Sequence, residues 1–146
     1  MKKVLIGGEP DYVVHKKVND FYIFVPEYSD SYYINAHTRN LKDQDFVDIC
    51  NLGGLVGINL CPSHLSGVNS ADAKDIIKHI EHYLSLGGEN AISMGCDLDG
   101  ADLPMGFSGI EDLYKIANEM QRLNYSTELV DKIMFQNAFE FFERNL

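Results

Sequence analysis

Residues Ile76 to Gly100 read IIKHIEHYLSLGGENAISMGCDLDG. Ile76, Ile77, Ile80 and Leu84 recur at helical spacing, Ser70 stands ahead of them as a cap, and Gly87-Gly88 stops the helix. Ala91 to Cys96 then reads as a short apolar strand, and Asp97-Leu98-Asp99-Gly100 as an acidic turn at its end. A helix running straight into a strand suggests an α/β fold, in which strands pair in parallel through helical crossovers.

The same alternation extends outward. Leu55 to Leu60 is apolar on both sides, as a buried parallel strand is. Lys42 to Leu52 ahead of it predicts a helix with Phe46, Val47 and Cys50 on one face, ended by Gly53-Gly54. Val4-Leu5-Ile6 and Phe21 to Val25 read as strands, Pro26 ends the second, and Glu27 to Asn40 reads as loop or irregular helix. Cys61 to Asn69 reads as a loop. Ser108-Gly109-Ile110-Glu111 fits a capping box before a helix carrying Leu113, Ile116, Ala117, Met120 and Leu123. Ser126 caps a further helix with Leu129, Val130 and Ile133, and Asn137 to Arg144 closes the chain with Phe139 and Phe142. About four strands result. A closed eight-stranded barrel typically takes about 250 residues, so 146 residues fit a small open α/β domain or part of a barrel.

With 45% hydrophobic residues the chain is expected to fold as one domain, 1–146. Its net charge of -10 argues against nucleic acid and against docking on anionic lipid, because both need clustered Lys and Arg. No stretch reaches membrane-spanning length, and the three apolar residues near the N-terminus are too few for a signal peptide. Cys50, Cys61 and Cys96, odd in number and scattered, suit reduced, buried thiols in a cytoplasm.

The acidic turn admits several chemistries. As a calcium loop starting at Asp97 it has glycine at position four and Ser108 at twelve, which does not fit the EF-hand. As an aspartyl-phosphatase nucleophile, of the pattern D-x-D-G-T, it has Ala101 where threonine is needed. As the end of a barrel strand it places a carboxylate where α/β barrels do their chemistry. Composition alone favours a plain turn, since Asp and Gly are common turn formers.

Several segments together resemble the C-terminal part of the membrane (renal-type) dipeptidase family. They are HTRNL at His37–Leu41, GGLVGINL at Gly53–Leu60, the Ile76–Gly100 stretch, LPMGFSGIEDLYKIANEM at Leu103–Met120 and NAFEFFERNL at Asn137–Leu146. The resemblance runs from about Asp30 to the end and leaves 1–29 as a divergent N-terminal segment. It implies a partial (β/α)8, or TIM-type, barrel comprising roughly the last three to four βα units. It also implies hydrolysis of dipeptides by water activated between two zinc ions. Asp97 matches the carboxylate that handles the proton of the attacking water, and Arg39 the guanidinium that grips the substrate carboxylate. His37 is expected to order the loop near Arg39.

The metal cage does not carry over. Tyr28 occupies the position of a family His ligand, and the chain has no His-x-Asp pair. His79 and His82 share a helix face but are expected to pack outside the barrel, and His15 and His64 fall in loops. The sequence therefore predicts the C-terminal half of a zinc dipeptidase, inactive alone, with a possible N-terminal partner chain or homo-oligomer. The alternative is a non-catalytic α/β interaction or binding module from the same family.

Overall fold

The computed structural model describes residues 3–5, 16–18, 21–24, 30–68, 70–98 and 100–145, with side chains from Asp30 onward. Tyr28, His15 and Asp99 lie outside the described residues, so the expectations placed on them are not addressed by it.

Strands β1 (Lys3–Leu5), β2 (Lys16–Val18) and β3 (Phe21–Phe24) form one sheet, in the order β1-β3-β2. β1 runs parallel to β3, but β2 pairs with β3 antiparallel, so the expectation of parallel pairing throughout is corrected here. Helix α1 (Asp43–Asn51) leads to β4 (Val56–Asn59), and helix α3 (Ala73–Ser85) leads to β5 (Ile92–Cys96). β4 and β5 pair in parallel as a separate two-stranded sheet, with α3 in the crossover between them. The architecture is mixed α/β.

The core lies where these helices meet β4 and β5. Phe46, Ile49, Ile58, Ile76, Ile80, Tyr83 and Ile92 are all buried. The Phe46 and Tyr83 rings stack with centroids 4.0 Å apart. On α1, Ile49 joins Phe46 in the core, while Val47 and Cys50 are only half-buried. Close packing of the two strands needs glycine at one point. A Cβ on Gly57 would stand 2.8 Å from the Gly95 Cα, against backbone that cannot yield.

Several local expectations are corrected. Asp72, not Ser70, caps α3: its carboxylate accepts from the Lys74 N–H at 2.8 Å, and Asp75 reaches back to the Asp72 N–H at 3.1 Å. The segment read as loop after Cys61 contains a one-turn helix, α2 (Pro62–Leu65), started by proline at its first position. The box at Ser108 does not form. A 3-10 turn, Ile110–Asp112, stands there, and the Asp112 carboxylate accepts from the Ser108 N–H at 2.7 Å.

Helix α4 (Tyr114–Arg122) buries Ile116 and Met120. Ser126 caps α5 (Thr127–Asp131), its hydroxyl accepting from the Leu129 N–H at 3.2 Å. A π turn, Lys132–Gln136, joins α5 to α6 (Asn137–Asn145). On α6, Phe141 is buried, whereas Phe139 and Phe142 are exposed. The Asn137 amide anchors α6 beside β5, donating to the Glu89 and Ile92 carbonyls at 2.9 and 2.8 Å. Among the described residues no helix is long and apolar enough to cross a membrane.

Candidate active site

β5 ends in a conformation that L-residues avoid. Cys96 and Asp97 both take positive φ, 63° and 58°, and the Asp97 N–H turns back to the Gly95 carbonyl at 2.9 Å. Backbone strain of this kind costs about 1–3 kcal/mol per residue and gathers at functional sites. The neighbouring strand adjusts as well: its register slips between Ile58 and Asn59, so that Asn59 stands opposite Cys96. The slip brings the Asn59 side chain to Asp97.

Asn59 is held on three sides. Its Oδ1 accepts from the Cys61 N–H at 2.6 Å, its own N–H donates to Asp30 Oδ1 at 3.1 Å, and its Nδ2 donates to Asp97 Oδ2 at 3.4 Å. Asp30 is fully buried, and its Oδ2 has no hydrogen-bond partner. Burial holds its carboxyl well above the usual carboxylate range, against the opposing pull of the Asn59 N–H.

A second group converges from the loop 30–41, which carries Arg39. Asn35 and Asn40 both donate from Nδ2 to the His64 carbonyl, each at 2.8 Å, and Asn40 also donates to the Asn35 carbonyl at 2.9 Å. Two amides thus clamp α2 to the loop. The clamp sets the His64 ring 4.7 Å from the His37 ring, and His37 Nδ1 accepts from the Arg39 N–H at 3.2 Å. His64 is pushed down to about 4 by burial first, then by the positive charge of His37 and Arg39, while Asp97 pulls the other way. Arg39, His37, His64 and Asp97 therefore share one electrostatic neighbourhood.

The remaining histidines hold structure. His79 is buried, with Nδ1 accepting from the Ser31 N–H at 2.8 Å and Nε2 facing the Leu65 carbonyl at 2.8 Å. Those partners require a neutral ring with its proton on Nε2. His82 meets the Asp43 carboxylate at 2.7 Å and stacks on Tyr33. Cys96 is buried, Cys50 and Cys61 are half-buried, and all three are free thiols. Burial pushes the Cys96 thiol up to about 11, which suits packing rather than nucleophilic chemistry.

Sequence reasoning singled out Asp97, Arg39 and His37, and it missed Asp30, Asn59 and His64. Among the described residues no three His, Cys, Asp or Glu side chains come together to hold a metal ion. These residues alone do not fit a two-zinc cage.

A mixed α/β chain with a strained carboxylate at a strand end, and a cationic loop beside it, has the form of a hydrolase barrel site. The chain belongs to the membrane dipeptidase family (peptidase family M19), whose model matches residues 25–145. It is 27% identical over 117 residues to an uncharacterized protein in the pqqA 5' region of Klebsiella pneumoniae, covering 77% of this chain and 43% of that one. It is also 27% identical over 123 residues to an uncharacterized dipeptidase of Schizosaccharomyces pombe, covering 80% and 29%. The chain thus spans less than half the length of these relatives.

Among solved structures, the dipeptidase AC, a metallo peptidase, superposes with a TM-score of 0.75 at 27% identity, covering 81% of this chain and 36% of that one. A metallo peptidase from Rhodobacter sphaeroides, liganded with a phosphinate mimic of the dipeptide L-Ala-D-Ala, gives 0.76 at 27% identity, covering 82% and 35%.

Proposed function

We propose that this chain carries the proton-handling and substrate-gripping side of a zinc-dependent dipeptidase. The single observation behind this reading is the convergence of Asp97, at the end of β5, with the Arg39 loop around His64. In this reading 1–146 is one α/β domain, family-like from about 30 to 146. It forms roughly the last three to four βα units of a (β/α)8 barrel.

Asp97 accepts the proton of the attacking water, and Arg39 binds the carboxylate of the dipeptide, a planar anion that guanidinium matches. The two zinc ions of the family are held mainly by groups outside the described residues, so the part described is inactive by itself. A segment or partner chain carrying the other βα units completes the site. The free thiols favour a reducing, cytoplasmic setting.

The test is zinc titration of the purified chain together with L-Ala-D-Ala hydrolysis, beside Asp97→Asn. The expected result is weak zinc binding and no hydrolysis by either protein. Tight binding of two zinc ions, with activity that falls about 10²–10⁴-fold in Asp97→Asn, would overturn the incomplete-site reading and keep the role of Asp97.

One observation favours a second reading, a non-catalytic interaction module. Phe135, Phe139 and Phe142 stand exposed along the last helix, and Phe135 stacks on Phe139 with centroids 5.5 Å apart. Exposed apolar faces of this kind mark contact surfaces. Sedimentation showing a stable monomer at high concentration would count against self-association through this face.

A further inference from the structure

We propose that Asn59 and Gly100 together form a cradle that fixes the orientation of the Asp97 carboxylate, one oxygen held and the other kept clear. The inference rests on the reading of Asp97 as the proton acceptor, and it adds two positioning residues to that reading.

The two Asp97 oxygens have different surroundings. Oδ2 receives the Asn59 amide at 3.4 Å. Oδ1 lies against Gly100, where a Cβ would fall on it. The turn that brings Gly100 there is closed by the Gly100 N–H donating to the Asp97 carbonyl at 3.3 Å. Any side chain at position 100 would push the carboxylate out of this place.

Asn59 can act as the fixed wall because its own amide has no freedom to flip. Cys61 N–H occupies Oδ1 at 2.6 Å, which leaves Nδ2 as the group facing Asp97. Asp30 secures the backbone from behind at 3.1 Å. A carboxylate with one oxygen committed presents the other in a fixed direction, and fixed direction is what proton transfer from a bound water needs.

The test is NMR of the full chain labelled with 15N and 13C. The Asn59 side-chain amide and the Asp97 carboxyl carbon are followed through an acid titration. The expected result is one shared inflection, lost at the Asn59 amide in Asp97→Asn and lost again in Gly100→Ala. His64, His37 and Asp30 also titrate near this point, and Asp97→Asn separates their influence from that of Asp97. The Asn137 amide, bonded only to backbone carbonyls, serves as the control that stays flat.

An Asn59 amide that ignores the Asp97 inflection, or that keeps it unchanged in Gly100→Ala, would overturn the proposal. If Gly100→Ala fails to fold, the wild-type titration against Asp97→Asn decides. No hydrolysis is measured, so the dipeptidase reading and the cradle can fail separately.

Discussion

The His79 imidazole bridges two chain segments, taking the Ser31 N–H on Nδ1 at 2.8 Å and facing the Leu65 carbonyl with Nε2 at 2.8 Å. A proton added to Nδ1 would break the first bond in a buried place. Burial accordingly pushes His79 down to about 4 from an ordinary value near 6.5. The folded value is depressed, so the stability it contributes is complete above about pH 6.5 and is lost as pH falls toward 4. That loss amounts to about 3 kcal/mol. Chemical denaturation across pH 4–7 checks it: the slope should shrink in His79→Leu, although that variant is less stable at every pH.

Asp30 works with the opposite sign. Its folded value is raised by burial, so its favourable contribution is complete at pH values below about 3.8 and is lost as pH rises through the raised value. Asp30→Asn keeps an oxygen for the Asn59 N–H and removes the charge. Relative to the wild type, the variant is expected to gain stability progressively from pH 4 to pH 8, measured by denaturant midpoints at matched m-values. A constant difference between the two proteins over that range would contradict the burial of an ionisable Asp30.

The amide clamp on His64 gives a third expectation. Asn40→Ala removes donors from the His64 and Asn35 carbonyls. Unpaired buried acceptors cost about 1–3 kcal/mol. The melting temperature should drop, and hydrogen exchange in the one-turn helix α2 should accelerate more than exchange in α3. Uniform acceleration across the chain would mean that the clamp does not act locally.

Gly57 supplies a fourth. In Gly57→Ala the added methyl meets the Gly95 backbone 2.8 Å away, so β4 and β5 must separate. Overpacking of this kind costs about 1–3 kcal/mol or more. Thermal melts should show that loss, while an alanine at exposed Gly87, where nothing stands within 4 Å of the added carbon, costs only its positive φ.

The parts of the fold legible in the sequence are those with local causes. Ile76, Ile77 and Ile80 set the face of α3, Gly87-Gly88 ended it, and Ser126 capped α5, all within a few residues of the feature they control. Where two local signals competed, reading by residue type chose wrongly. Ser70 and Asp72 are both good caps, and Asp75 three positions after Asp72 decided between them by completing the box. Helix α2 escaped because four residues give no periodicity, although Pro62 at its first position was a usable sign.

The candidate site divides in the same way. Asp97 was visible because acids after an apolar strand stand out. Asp30 and Asn59 were not, since their meeting depends on contacts 29 and 38 positions away along the chain. His64 resembled any loop histidine until Asn35 and Asn40 closed on its carbonyl.

The π turn at Lys132–Gln136 gives one residue unusual leverage over the end of the molecule. A π turn is an α-helix carrying one residue more than its ladder needs. Deleting a single residue there would restore the regular ladder and swing everything beyond it by about 100°. Asn137 would leave the Glu89 and Ile92 carbonyls, Phe141 would turn out of the core, and another face of α6 would lie on β5. Single-residue gain or loss in this segment therefore acts as a rotary setting for the last helix, a change that no side-chain replacement reproduces.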